Sequence, residues 1–235
     1  MIDVDYNGRF GNRLFQYFTS VILAENHGHS IANPLSTSID KLKYNHEEEA
    51  NTSERIEVND ENYNAFINSE NCCSSNIHVV GYFQKKEIIA MFKHRKKKLF
   101  NDVGEKDPIK GTYIHLRLGD ILDTPGKYCE LDYYEKALEQ VDLSGELALS
   151  SDTPDHTFVE TLMSKYNFNF LDLNEEETIL RASQFDNKIL SLGTFSWWIG
   201  FLGNQKNVIC PDPADYIRWH GRIFPFLNWK TCSPK

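Results

Sequence analysis

The feature that most constrains this chain is a regular alternation of apolar strand-like and amphipathic helix-like segments from Thr112 onward. The predicted strands cover residues 112–116, 146–150, 168–171, 188–192 and 207–210, and the predicted helices cover residues 132–141, 155–166, 175–184 and 197–202. Strands that alternate with helices in this way form a parallel, doubly wound sheet. Such sheets bind ligands at the carboxyl ends of their strands, which singles out the segments after Leu116, Ser150 and Leu192.

The first half of the chain gives a weaker pattern. Residues 2–5 predict a strand that runs through a glycine-containing turn into a helix over 13–26. A second strand is predicted over 77–83 and a second helix over 86–100. The polar segment 33–76 is predicted to be irregular and to contribute little core. Residues 102–110, with Gly104 and Pro108, are the predicted linker, so that two domains cover 1–104 and 105–235.

The charge and hydropathy of the chain exclude some classes of protein. A net charge of −9 argues against a nucleic-acid-binding protein, because contacts with phosphates need a clustered cationic surface. The basic run at 93–98 is predicted to be a solvated helix end, and attraction of an anionic donor or partner is the alternative. No apolar stretch approaches the roughly 20 residues of a membrane span. The first residues also lack the pattern of a signal peptide.

The five cysteines predict reduced thiols rather than disulfides or metal ligands. Their number is odd and their spacing matches no familiar metal site. The eight histidines are scattered and do not pair with acids or cysteines at ligand spacing. We therefore expect a cytoplasmic protein without a metal or cofactor.

The loop predicted to follow Leu116 carries charged and small residues. Arg117 has a planar fork of donors suited to phosphate oxygens, and Gly119 would allow a ligand to approach the backbone closely. Asp120 could hold Arg117 in place or accept a hydrogen bond from a hydroxyl group. The alternative is a buried Arg117–Asp120 pair that ties the strand to its loop.

The other two loops allow similar interpretations. Asp152, directly after a strand, could accept hydrogen bonds from a guanine or a ribose. On the residues alone, the favoured interpretation is that Asp152 or Thr153 caps the helix starting near Asp155. Thr194 and Ser196 stand at a helix start, where free backbone N–H groups and the helix dipole favour a diphosphate. An ordinary cap, with the tryptophans that follow packed in the core, is the alternative.

Six short segments of the chain contain most of the residues discussed above. They are GRFGNRLFQY at 8–17, GYFQ at 81–84, HLRLGDI at 115–121, YY at 133–134, SD at 151–152 and FSWWIG at 195–200. In this order they resemble the motifs of the α-1,2-fucosyltransferase family and its wider fucosyltransferase relatives. The matches span nearly the whole chain, and the ordered set is much more specific than any single motif.

The resemblance implies a GT-B architecture, in which two Rossmann-like halves flank a cleft and the C-terminal half holds most of the donor. Residues 1–104 would then form an acceptor-side domain and residues 105–235 a nucleotide-sugar-binding domain. The implied reaction transfers fucose from GDP-fucose to a glycan hydroxyl, with inversion at the anomeric carbon and without an essential metal. The partners are therefore a nucleotide sugar and a glycan acceptor.

The resemblance also implies roles for individual residues. Arg117 would contact the β-phosphate, His115 and Asp152 the guanosine, and Thr194 and Ser196 the diphosphate. The predicted donor-binding residues are Gly11, Asn12, Arg13, His115, Arg117, Gly119, Ser151, Asp152, Thr194, Phe195 and Ser196. The predicted catalytic residues are Arg117, Asp120 and Asp123, with the two aspartates as alternative bases for the attacking hydroxyl.

Three positions depart from the family pattern. Leu118 replaces a second arginine, so that one positive charge near the diphosphate is missing, and Ile121 replaces a tyrosine. Arg13 stands where the family has glutamine and could restore a cation if it faces the donor. These departures keep two alternatives open: transfer of another nucleotide-linked sugar, and an inactive protein that binds nucleotides or glycans.

Overall fold

The computed structural model describes residues 1–43, 55–69, 75–101, 107–203, 207–216, 223–226 and 228–233. It confirms the predicted α/β class, because two sheets of parallel strands are connected by helices in a Rossmann-like manner. The chain divides into two compact units, residues 1–101 and 102–235. The predicted boundary at 104/105 lies among residues 102–106, outside the described residues.

The first unit contains a three-stranded parallel sheet in the order β1-β3-β2. Its strands are β1 (Ile2–Asp5), β2 (Arg55–Asn59) and β3 (Asn76–Val80). Its helices are α1 (Phe10–His27), α2 (Tyr63–Ile67), α3 (Lys86–His94) and α4 (Lys96–Leu99). The helix predicted over 86–100 is thus divided at Arg95. The guanidinium of Arg95 bonds to Glu25 and Asn26 on α1, at 3.1 and 3.0 Å.

The prediction that residues 33–76 are irregular and contribute little core is wrong for part of this segment. It contains β2 and α2, and it buries Val58, Tyr63 and Ile67 almost completely. The reason is that β2 buries one face only, so polar residues make up more than half of its sequence and obscure the pattern. This segment therefore contributes core residues that its polar composition does not reveal.

The second unit contains a six-stranded parallel sheet in the order β6-β5-β4-β7-β8-β9. The strands are β4 (Ile109–Leu116), β5 (Glu146–Ser151), β6 (Asn169–Phe170), β7 (Phe185–Ile189), β8 (Asn207–Pro211) and β9 (Lys230–Cys232). The helices are α5 (Leu131–Leu138), α6 (Thr157–Tyr166), α7 (Glu175–Ser183) and α8 (Thr194–Leu202). The elements follow the predicted alternation, except that β9 was not predicted.

The strand order places a topological switch point between β4 and β7. From β4 the chain moves outward to β6, returns on the other side of β4 as β7, and then continues outward to β9. Doubly wound sheets bind ligands where the strand order reverses, outside the carboxyl ends of the strands. The loops after Leu116 and Ile189 are therefore the favoured ligand-binding loops. β7 ends at Ile189 and not at the predicted Leu192, which lengthens the second loop.

Buried aromatic residues fix the position of α8 beside this switch point. Trp197 and Trp198 are completely buried, and the ring of Trp197 stacks on Phe201 at 4.6 Å between centroids. Phe226 and Trp229 pack around the same cluster. The tryptophans are thus core residues, as the alternative interpretation of this segment held. Their burial makes the N-terminus of α8 a rigid part of the edge of the sheet where β4 and β7 end, which is called the ligand-binding edge below.

The described cysteines, Cys129, Cys210 and Cys232, are free and buried. Cys72 and Cys73 lie outside the described residues.

Among the described residues, no helix combines the length and the apolar composition that a membrane crossing requires.

The buried thiols predict a loss of stability at alkaline pH. Burial raises the pKa of the Cys129 and Cys210 thiols to about 12 from the ordinary value of 9.0. Between these values the unfolded chain releases thiol protons that the folded protein keeps. The free energy of unfolding should therefore be unaffected by these groups below pH 9.0 and should fall above it, by about 1.4 kcal/mol per pH unit for each thiol.

Urea unfolding at a series of pH values measures this slope, and Cys129→Ala serves as the comparison. The variant should lose stability less steeply than the parent above pH 9.0, because one linked proton has been removed. Equal slopes for the two proteins would contradict the assignment.

Candidate functional site

Arg117 follows directly on β4 and lies at the switch point. Its guanidinium Nη2 donates to Asp120 Oδ1 at 3.3 Å, from a side chain that is 17% exposed. Asp120 belongs to a 3₁₀ turn over Gly119–Ile121 and is 54% exposed. The Arg117–Asp120 pair considered from the sequence is therefore present, but it is not a buried pair. Its guanidinium stays at the ligand-binding edge of the sheet.

The backbone at Gly193 passes directly beneath the Arg117 side chain. Gly193 has a φ of +103°, and a Cβ atom built there would lie 2.7 Å from Nη1 of Arg117. Gly193 is also the N-cap of α8, and as a glycine it has no side chain that could cap this end of the helix. The first N–H groups of α8 and the Arg117 guanidinium thus lie close together, which is a combination that attracts anions. The sequence alone does not single out Gly193, because glycine is common in any loop that precedes a helix.

A polar network connects the two loops beneath this edge. Nδ1 of His115 and the Ser196 hydroxyl are 2.5 Å apart, and the Ser191 N–H donates to the same hydroxyl oxygen at 3.1 Å. Ser191 in turn accepts from the Arg117 N–H at 3.2 Å. His115 also packs against Phe195, with ring centroids 5.0 Å apart. Four of the predicted donor-binding residues are thus brought together, with Ser191 as an additional residue that sequence reasoning missed.

Burial distinguishes the residues of this network. Ser196 is completely buried, whereas His115 and Thr194 keep 6% and 7% exposure and Phe195 is half-buried. The Ser196 hydroxyl is thus turned into the protein and toward His115. Contact of Ser196 with a diphosphate stays a prediction, and the geometry favours a supporting role for this residue.

Asp152 holds the loop that carries Arg117. Its Oδ1 accepts from the Leu118 N–H at 2.8 Å and from the Gly119 N–H at 3.1 Å. The favoured interpretation, that Asp152 or Thr153 caps the next helix, is wrong, because α6 begins at Thr157 and its N-cap is His156. Contact of Asp152 with a guanosine stays a prediction, as does that of Ser151, whose hydroxyl accepts from the Thr153 N–H.

The two departures next to Arg117 face the core. Leu118 is completely buried and Ile121 is 2% exposed. Leu118 packs in the cluster that contains Tyr133 and Tyr134 from α5. A leucine is therefore well suited to this position.

Residues of α5 support the loop after β7. The Tyr133 hydroxyl donates to the Leu190 carbonyl at 2.6 Å, and Tyr134 lies beside Ser191 and Cys129. Burial raises the pKa of both tyrosines well above its usual value, so that both hydroxyls stay protonated. The Tyr-Tyr pair thus has a supporting role beneath the site.

The motifs of the first half meet within the first unit. The Gln16 side chain accepts from the Asn7 N–H and donates to the Gly81 carbonyl, at 3.0 and 2.9 Å. The Gln84 amide donates to Asn12 Oδ1 at 3.1 Å. Arg13 is exposed and its Nε donates to a carbonyl of the preceding turn. The turns after β1 and β3 are therefore joined by polar contacts through Asn12, next to the exposed Arg13, whereas Gly11 is buried in the first turn of α1.

The described residues contain no group of three or more His, Cys, Asp or Glu side chains that could hold a metal ion. Asp123, the second candidate base, is exposed beyond the 3₁₀ turn.

The contacts of Asp152 predict a measurable effect on stability. We expect Asp152→Ala to lower the free energy of unfolding by about 1–2 kcal/mol, because two backbone N–H groups lose a charged acceptor at an exposed site. Urea unfolding measures the change, with Asp155→Ala as the control, since Asp155 is an exposed acid of the same loop. A loss no larger than that of the control would contradict the role of Asp152 in holding the loop.

Comparison with known proteins supports a class of enzyme. The chain is 28% identical over 117 residues to the O-antigen biosynthesis glycosyltransferase WbnK of Escherichia coli, a match that covers 45% of this chain and 39% of that protein. No family model and no solved structure matches the chain. The similarity is to a glycosyltransferase, which is the class that the ordered motifs also indicated.

Proposed function

We propose that this protein is an inverting glycosyltransferase that moves a fucosyl residue from GDP-fucose to a hydroxyl group of a glycan acceptor. The observation that carries the proposal is the position of Arg117 beside Gly193, at the N-terminus of α8 and at the switch point of a doubly wound sheet. A nucleoside diphosphate is the anion that such an edge is suited to bind.

In the proposed reaction, the bond between the anomeric carbon and the diphosphate oxygen breaks and negative charge accumulates on the diphosphate. The Arg117 guanidinium and the first N–H groups of α8, with Thr194, would stabilise that charge. They are held in place before the reaction, which makes each such donor worth a few kcal/mol in the transition state. His115 and Asp152 would bind the guanosine, and contact of Gly11, Asn12 and Arg13 with the donor stays a prediction.

The acceptor hydroxyl would attack the opposite face of the sugar as a base removes its proton. Asp120 and Asp123 are the candidate bases. Asp120 lies within hydrogen-bonding distance of Arg117, and both carboxylates are exposed. Measurements of turnover and of GDP affinity for Asp120→Asn and Asp123→Asn would identify the base. Replacement of the base should lower turnover and leave GDP affinity unchanged.

The name of the relative connects it with O-antigen biosynthesis, which agrees with a glycan as the acceptor. Transfer of another nucleotide-linked sugar is the alternative that Leu118 suggested. Because the Leu118 side chain is buried in the core, this departure gives no reason to prefer another sugar, and we propose fucose because the ordered motifs resemble those of fucosyltransferases.

Calorimetric titration with GDP, UDP and GDP-fucose, followed by product analysis with a panel of glycans, tests the proposal. We expect GDP to bind more tightly than UDP, and the product to have the anomeric configuration opposite to that of the donor. Preference for UDP, or transfer from non-fucose donors only, would exclude fucose. GDP binding without turnover on any acceptor would favour an inactive binding protein.

A further inference from the structure

Ser196 is a completely buried hydroxyl whose hydrogen bonds constrain a neighbouring histidine. Among the described residues, two groups contact its oxygen: the Ser191 N–H at 3.1 Å and Nδ1 of His115 at 2.5 Å. A serine hydroxyl has one proton to donate and two lone pairs that accept. The Ser191 N–H can only donate, so it occupies one of the lone pairs.

The Ser196 proton therefore needs an acceptor, and His115 Nδ1 is the described group that can provide one. If Nδ1 were protonated instead, it would donate to Ser196, and the Ser196 hydroxyl proton would lack an acceptor among these partners. Buried polar hydrogens are rarely left in that state. Neutral imidazole carries a single ring proton, which must then be on Nε2.

We infer that Ser196 is a positioning residue that fixes His115 in the tautomer protonated at Nε2, so that His115 presents a hydrogen-bond donor to the nucleotide of the sugar donor. This inference rests on the proposed function for its ligand. The chemical class that it selects is a ligand with an acceptor atom, such as a carbonyl oxygen of a base or a phosphate oxygen. Phe195, packed against the imidazole ring, restricts its rotation.

The tautomer can be measured without any ligand. In protein labelled with ¹⁵N-histidine, long-range ¹H–¹⁵N spectra distinguish a protonated ring nitrogen from an unprotonated one, and His115→Gln assigns the signal. We expect Nδ1 of His115 to be unprotonated and Nε2 to be protonated in the parent and in Ser196→Thr. In Ser196→Ala we expect a mixture of tautomers. A protonated Nδ1 in the parent, or an unchanged spectrum in Ser196→Ala, would overturn the inference.

Titration with GDP then tests whether this tautomer of His115 contributes to nucleotide binding. Ser196→Ala should bind GDP about tenfold more weakly than the parent, the size of one neutral hydrogen bond, and Ser196→Thr should restore binding. Ser183→Ala is the matched control, because Ser183 is another completely buried serine of the same unit, and it should bind GDP normally.

The two measurements separate the possible failures. A tautomer set by Ser196 together with unchanged GDP affinity in Ser196→Ala would overturn the role in donor binding, while the proposed function would stand. A parent protein that binds no nucleotide would refute the proposed function and the donor-binding role together, and the spectra alone would decide whether Ser196 sets the tautomer.

Discussion

Replacement of Arg117 by alanine is expected to lower turnover with GDP-fucose by about 100- to 1,000-fold. The guanidinium is the cation placed at the N-terminus of α8, where the proposed reaction builds up diphosphate charge. Initial rates at saturating donor, together with urea unfolding, separate the catalytic effect from the structural one.

Arg181→Ala is the matched control. Arg181 lies in the same unit, is partly buried and pairs with Glu146 at 2.9 and 3.0 Å, yet it belongs to α7 and not to the switch-point loops. Its replacement should leave turnover close to that of the parent. Turnover of Arg117→Ala within twofold of the parent would refute the proposed role. Arg117→Lys should fall between the two, since lysine keeps the charge and loses the planar fork.

The second large effect is expected for Gly193→Ala. A φ of +103° is strained for any residue with a side chain, and the new Cβ would lie 2.7 Å from Nη1 of Arg117. The arginine side chain must move, and GDP affinity and turnover should each fall at least about tenfold as this donor is misplaced. Gly28→Ala provides the control: its φ is +66°, but no described atom lies within 4 Å of the added carbon. We expect it to lose stability and to retain GDP binding.

A double-mutant cycle shows whether the effect of Gly193→Ala arises from displacement of Arg117. If the added methyl group acts by displacing Arg117, then Gly193→Ala should cost little further activity in an Arg117→Ala background. Additive losses would mean that Gly193 acts through the helix terminus itself, and the proposed contact between the two residues would not explain the result.

Much of the ligand-binding edge could be predicted from the sequence. The alternation of strands and helices placed Arg117 and Thr194 after buried strands, because an apolar run followed by polar residues marks the end of a strand. The interpretation of Trp197 and Trp198 as core residues, one of two that the sequence left open, also agrees with the structure.

Other features were lost or misread because they depend on distant parts of the chain. β9 has three residues and was not predicted, since a strand this short is recognisable only by its pairing with β8. Asp152 resembled a helix cap because a carboxylate before a helix usually is one. Its acceptor oxygen is instead taken by Leu118 and Gly119, which are more than 30 residues away along the chain.

The sequence by itself determined the class of fold and the kind of side chains at the ligand-binding edge, because hydropathy periodicity and residue chemistry are local properties. Only the tertiary structure decided which of these side chains face a ligand. The order of the strands brought Arg117 against Gly193, and the burial of Ser196 turned its hydroxyl toward His115. Strand order and burial arise from contacts between residues far apart in the chain, which no local pattern records.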